Sequence, residues 1–281
     1  MDIDLARTFL AVAQTGSFVR AADSLSVTQS TVSARIKVLE NQLGSTVFNR
    51  SKAGVSLTAA GNLFERHAYA LVRIWQQVRQ EIALPTEQHQ LLSVGAQASL
   101  WGGVMLDWLC SFREKYPEIA VRAETGSNDA LMAQLVDGLL DFIVIYTPQV
   151  RPSLKIEQLF EETLVLVSTR PGPMLDGIHD YVYVDWGMEF EADHAKAFPG
   201  GEAVDLFAGV GPLGLEYIMR NGGTGYFPIR MIKPLIDAGR LNIVDNTPKF
   251  HRPAYLVRYD YEDNVALDSA VTLLRKESAQ A

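Results

Sequence analysis

One cysteine, Cys110, stands alone among 281 residues, which excludes an intrachain disulfide and fits a reducing compartment. Placed on a helix with Leu106, Leu109 and Phe112, it reads as buried filler rather than a redox switch. Long apolar runs are missing too: Leu139-Leu140 and Phe142 to Tyr146 are separated by Asp141 and far too short to cross a bilayer. The opening Met1-Asp2-Ile3-Asp4 is acidic and enters an amphipathic helix, unlike a secretory signal. The expected location is therefore the cytoplasm, with no membrane partner. The histidines (His67, His89, His179, His194, His251) are scattered, and none has a Cys or second His at ligand spacing, so neither zinc nor any other metal is expected. His179 and His194 flank Asp180, Asp185, Glu189, Glu191 and Asp193, which reads as a solvated acidic loop before it reads as a cation site. The stretch Asn221 to Gly225 has no P-loop lysine and lacks the spacing of a dinucleotide fingerprint. No catalytic constellation or cofactor motif is present, and an enzyme is not expected.

What is there is a globular composition, 48% hydrophobic and 21% charged, in a chain long enough for two domains. The net charge of −8 is unevenly spread. Residues 1 to 88 hold nine bases and seven acids, a balance of +2, so the remainder carries −10. Within residues 20 to 52, five bases face two acids, and positive charge gathers where a nucleic acid would be met.

Residues 18 to 43 read as two short helices joined by a tight turn. Thr28 is placed to cap the second. At about 100° per residue, Val32, Ile36, Leu39 and Leu43 share a core stripe, while Gln29, Ser30, Ser33, Ala34, Lys37 and Asn41 form a polar face without a carboxylate. Such a face suits a major groove, where glutamine can pair with adenine and lysine with guanine or phosphate. Upstream, Leu5, Phe9, Leu10 and Ala13 repeat at helical spacing before Thr15-Gly16-Ser17, and Ala21, Ala22 and Leu25 give the middle helix a close-packing side. Three short helices in about 40 residues make a helix-turn-helix arrangement.

Residues 46 to 57 follow as two strand-like pieces around Lys52, Ala53 and Gly54, a wing whose Arg50 and Lys52 can approach the backbone. From Thr58 to about Leu84 a helix of about 40 Å is expected, stopped by Pro85. Its apolar positions Leu63, His67 or Ala70, Leu71, Ile74, Val78 and Ile82 approximate a seven-residue repeat, the pattern of a helix that pairs with a second copy.

The set Phe9, Phe18, Ala21-Ala22, Leu25, Thr28-Gln29-Ser30, Val32-Ser33, Ile36, Leu39-Glu40, Leu43-Gly44, Phe48, Arg50 and Leu57 to Gly61 resembles the amino-terminal domain of LysR-type transcriptional regulators. The resemblance covers residues 1 to about 84. It implies a winged helix-turn-helix, a dimerising linker helix, and an effector-binding domain built like a periplasmic binding protein. By motif position it implies DNA contacts from Gln29, Ser30, Ser33, Arg35 and Arg50; Arg35 lies off the groove-facing arc and suits a phosphate better than a base. A finer resemblance, in Ser99-Leu100-Trp101 and Asp185-Trp186-Gly187, is to the subgroup containing a repressor of the flagellar master operon. The chain departs from commoner members at Gly209 to Gly214 and Asn221 to Gly225.

Beyond Gln90, short apolar strands alternate with helices, the α/β pattern. Strands are expected at 91–96, 119–124, 141–146, 164–168, 181–184, 224–227, 241–244 and 254–259, with helices at 100–116, 129–138, 212–221, 230–238 and 262–278. Two parallel-sheet lobes follow, crossed near Glu162 and Arg252. The expected domains are 1–58 (winged helix-turn-helix), 59–86 (linker helix) and 87–281 (effector domain; lobe I 90–162 with 252–281, lobe II 163–251). Ligands in such lobes sit beyond strand ends. That places candidates at Ser99 and Leu100, Gly126 and Ser127, Thr147, and Trp186, the last either stacking on a ligand or filling the lobe interface. No arginine is clearly positioned in these loops, so a tightly held dicarboxylate is not indicated.

The function expected is a DNA-binding regulator modulated by a small-molecule effector. Its partners would be an inverted-repeat duplex and further copies of itself, as dimer and tetramer, with RNA polymerase a further candidate. The alternatives are a constitutive DNA binder with a non-sensing carboxy-terminal domain and a bilobal small-molecule binding protein.

Overall fold

The computed structural model describes residues 2–51, 54–82, 90–151, 154–171, 180–200, 204–260 and 264–279. Its first three helices are α1 (Ile3–Thr15), α2 (Phe18–Ser24) and α3 (Gln29–Leu43). Each boundary has a local cause. Gly16 and Gly44 end α1 and α3 at φ 61° and 67°, a region where a Cβ is strained. Ser17 and Thr28 open α2 and α3 by accepting the amides of Arg20 and Thr31. Phe9, Val12, Ala21, Val32, Ile36 and Leu39 are fully buried between the three helices.

The wing, β1 (Phe48–Ser51) and β2 (Gly54–Leu57), pairs antiparallel with Arg50 opposite Val55. It is pinned to the helices, because Val55 N donates to Gly16 O at 3.2 Å and Val47 N to Glu40 Oε1 at 2.9 Å. The long helix α4 (Ala59–Glu81) starts against this hairpin: Thr58 Oγ1 donates to Thr46 O and accepts Gly61 N, and a Cβ on Gly61 would collide with Val47 O.

The remaining strands are β3 (Gln90–Ala96), β4 (Ile119–Thr125), β5 (Phe142–Ile145), β6 (Leu154–Ser168), β7 (Tyr181–Val184), β8 (Val204–Ala208), β9 (Thr224–Pro228), β10 (Asn242–Ile243) and β11 (Phe250–Tyr259). The helices between and after them are α5 (Ala98–Leu100), α6 (Leu106–Lys115), α7 (Asn128–Val136), α8 (Met188–Ala197), α9 (Gly211–Asn221), α10 (Ile229–Asp237) and α11 (Val265–Ser278). The strand order is β4-β3-β5-β11-β6-β9-β7-β8, with β10 on β6. The sheet is mixed, not parallel as expected. β3 pairs parallel with β4 and β5, and β7 with β8 and β9, but β6 and β11 run antiparallel to each other and to their outer neighbours. Those two long strands pass through both lobes, and along them Glu162 stands opposite Arg252.

Four further expectations change. The helix expected over 100–116 is broken at Gly102 and Gly103, whose backbones leave helical geometry in a wide turn over Trp101–Met105. The acidic stretch is not a solvated loop: Glu189, Glu191 and Asp193 lie on α8, which buries Phe190 and His194, one turn apart, in lobe II; His179 lies outside the described residues. Cys110 is exposed rather than buried, because α6 turns Trp108 and Phe112 inward instead. Leu43 is 41% exposed, since the chain reverses at Gly44 before any buried cluster covers the last turn of α3.

Candidate DNA-reading head and inter-lobe cleft

The head presents α3 with Val32, Ile36 and Leu39 inward and Gln29, Ser30, Ala34, Lys37 and Asn41 outward; Ser33 and Arg35 lie at the margin. Ser30 Oγ is 2.8 Å from Thr28 Oγ1, so the first turn is held by a hydroxyl cluster. Arg35 is already engaged, with Nη2 donating to Asp4 Oδ2 at 3.0 Å and Nη1 to Thr8 Oγ1 at 3.3 Å. Its remaining N–H groups keep a phosphate contact open. Arg50 extends from β1 over the Phe18 ring, Cζ 4.1 Å from the centroid, next to the start of α2. Lys52 lies outside the described residues.

Two apolar faces run along α4. Phe64, Ala68, Tyr69 and Val72 are buried in the chain's own core, and the Tyr69 ring lies tilted against that of Tyr259 of lobe I, centroids 5.6 Å apart. The second face, Leu63, Leu71, Ile74, Trp75, Val78 and Ile82, is exposed along the helix.

The cleft between the lobes is filled by side chains. Glu162, only 4% exposed on β6, accepts the Tyr146 hydroxyl on one carboxylate oxygen and Arg230 Nη2 on the other. Tyr146 follows β5 in lobe I; Arg230 opens α10 in lobe II. Ser99 completes the chain, its Oγ 3.2 Å from the Tyr146 hydroxyl. Burial pushes the Tyr146 phenol above its ordinary value, which keeps it a donor. Arg252 sits over the Tyr146 ring, Cζ 3.7 Å from the centroid, and Arg230 covers Phe160 at 4.5 Å. Burial lowers both guanidiniums; Asp107 opposes this at Arg230, and Glu189 and Asp185 at Arg252. Arg230 Nη1 is buried without a partner among the described residues.

The expected effector residues divide. Ser99 joins this network, and Thr147 and Trp186 line the small space left at its mouth. Trp186 is a lobe II core residue, 3% exposed, its Nε1 donating to Tyr226 O at 2.9 Å with Gly211 packed on its ring. Leu100 is fully buried in lobe I, and Ser127, after Gly126, caps α7 through Ala130 N. Sequence reading missed Arg230 and Arg252, which lie outside the four loops it weighed, on α10 and β11. A signal existed: Glu162, Leu164 and Leu166 share one strand parity, as do Arg252, Ala254 and Leu256, which puts both charges on buried faces. Among the described residues no group of three or more His, Cys, Asp or Glu is placed to hold a metal ion, and no helix is long and apolar enough to cross a membrane.

Residues 3–62 match the model of the bacterial regulatory helix-turn-helix proteins of the lysR family, and residues 85–177 that of the LysR substrate binding domain. The chain is 32% identical over 270 residues, 95% of each chain, to the HTH-type transcriptional regulator HdfR of Escherichia coli K12. Its fold is similar to full-length LysG of Corynebacterium glutamicum with bound effector Arg (TM-score 0.63, 19% identity, covering 100% of this chain and 99% of that one). It is also similar to Vibrio fischeri DarR in complex with DNA (TM-score 0.59, 18% identity, 98% of each). With both family models matched in order and a regulator aligned along nearly its whole length, this chain belongs to the LysR-type family of DNA-binding transcriptional regulators, which carry an effector-binding domain and are not enzymes.

Proposed function

We propose that two chains pair through the uncovered apolar face of α4 and set two α3 helices into successive major grooves of an inverted-repeat operator. Gln29, Ser30 and Ser33 read base edges, Lys37 meets a base or phosphate, and Arg35, Arg50 and Lys52 hold the backbone. The observation that carries this reading is the exposed, carboxylate-free face of α3 in a protein of net charge −8. The uncovered stripe from Leu63 to Ile82 supports the pairing, because a row of large apolar side chains left to water asks for a partner. Two such dimers would form the tetramer.

The working units are residues 1–58 for reading, 59–86 for pairing and 87–281 for sensing, with lobe I from 90–162 and 252–281 and lobe II from 163–251. A small-molecule effector acts at the inter-lobe cleft, around Ser99, Tyr146, Thr147 and Trp186, and shifts operator geometry only to the extent that it prefers one arrangement of the lobes. Such a regulator works in the cytoplasm, where its DNA is, and contacts RNA polymerase at the promoters it controls.

Selection of genomic fragments with purified full-length protein, followed by footprinting, tests the reading. Protection of an inverted repeat with half-sites about one helical turn apart, or a multiple of it, is expected. A protein that protects no fragment above random DNA overturns it.

A further inference from the structure

We infer that the inter-lobe cleft of this protein is a carboxylate site and that Glu162 occupies it from within the chain, as a resident ligand that draws the lobes together. The inference deepens the reading of the cleft as the sensing site and rests on it. Its basis is the convergence of donors from both lobes on one carboxylate: the Tyr146 hydroxyl, backed by Ser99, from lobe I, and the Arg230 guanidinium from lobe II. Arg252, opposite Glu162 on the neighbouring strand, closes over Tyr146 instead of pairing with Glu162. The Arg230 guanidinium and a phenol that stays protonated, with the Arg252 charge packed on that phenol's ring, make a site built to receive an anion. With Glu162 in place the mouth of the cleft retains about 10 Å³, the lower bound for a single water. The Tyr146 hydroxyl and Arg230 Nη2 both already donate to Glu162.

Two consequences follow. The lobes close without an effector, because the charge that would bridge them is already covalently attached. An external effector of this class has to exchange with Glu162, so it is a small carboxylate presenting one anionic group to Arg230 and Tyr146.

The geometry allows a direct test. Glu162→Ala deletes the Cγ methylene and the carboxylate, the heavy atoms of acetate, and leaves the donors facing the vacated space. Full-length Glu162→Ala should melt several degrees below wild type. Sodium acetate or formate should restore the melting temperature saturably, while sodium chloride at equal ionic strength should not. Wild type should respond to acetate no more than to chloride. In Glu162→Gln the side chain still fills the space, so acetate should be without effect there. A Glu162→Ala protein indifferent to acetate, or a wild type that responds as strongly as the variant, overturns the inference. If Glu162→Ala is recovered only as aggregate even with acetate, Glu162→Asp carries the test. One methylene shorter, it cannot reach Arg230 and Tyr146 together, and an unchanged melting temperature would then overturn the inference. Footprinting of wild type is scored separately, so failure of the DNA reading leaves the acetate result interpretable.

Discussion

Asp4 on α1 and Arg35 on α3 meet at 3.0 Å across the reading head, and Thr8 supplies Arg35 with a second acceptor at 3.3 Å. The residue that family likeness assigns to DNA is thus also the residue that ties α3 to α1. Both side chains are partly solvated, 42% exposed for Asp4 and 30% for Arg35, so the pair contributes well under about 1 kcal/mol to stability. Asp4→Asn is therefore expected to fold normally and to release Arg35 toward phosphate. Operator affinity should hold or rise, with a salt dependence steeper by up to about one charge. A large loss of affinity with an unchanged salt slope would mean that the pair serves to aim the helix.

Gln29 is the first residue of α3 and fully on its outer face. Its amide can pair with an adenine edge, and loss of such a contact costs about 1–3 kcal/mol. Gln29→Ala should weaken binding to the selected operator by that amount and leave binding to a scrambled fragment unchanged. Quantitative footprinting on both duplexes gives the answer; an equal loss on both would assign Gln29 to the backbone.

Arg50 behaves differently because it sits on the wing, opposite Val55, with its guanidinium over Phe18. That position favours a phosphate. Arg50→Ala should weaken all sequences alike and lower the slope of affinity against salt by about one. Loss confined to one operator sequence would contradict this.

Ile74 is 51% exposed midway along the uncovered face of α4, between Leu71 and Val78. In a paired helix that position is a seam, and an aspartate there is buried twice by symmetry. Ile74→Asp should give a monomer by light scattering with little loss of helical signal. Operator affinity should fall steeply, because each half-site is then bound independently. A dimer that survives the substitution would place the interface elsewhere.

What could be read from the chain alone follows from how local each determinant is. The head was legible because Thr28, Ser17, Gly16 and Gly44 act within one helical turn of themselves, and Ala21, Val32, Ile36 and Leu39 mark their inner faces by spacing. The acidic segment at 189–193 was misread because its helix is held by distant rings: Phe190 and His194 pack on Tyr226 and Phe250, far along the chain. The first half of β6 escaped notice because polar and apolar residues alternate irregularly there and only pairing with β11 settles it. The cleft was hidden for the same reason. Glu162 meets Arg230 across 68 residues and Tyr146 across 16, and neither separation leaves a motif.

His194 gives the pH test. It is 8% exposed, its Nε2 is 2.8 Å from the Tyr181 hydroxyl, and the rings of Tyr183, Phe190, Phe198, Tyr226 and Phe250 surround it. Burial lowers its pKa below the ordinary value, so the folded protein resists the proton that the unfolded chain accepts near pH about 6.5. Stability from this group is complete above that pH and is lost as pH falls from there toward the folded-state value, at no more than about 1.4 kcal/mol per pH unit for one proton. His194→Gln retains an acceptor for Tyr181 and cannot titrate, at the cost of some ring packing. The variant should start less stable at neutral pH yet lose less on acidification. The other histidines are common to both proteins and cancel in the comparison. Melting curves in a buffer series from about pH 7.5 to 5 decide the matter, and parallel slopes for the two proteins would show that His194 takes up its proton as easily folded as unfolded.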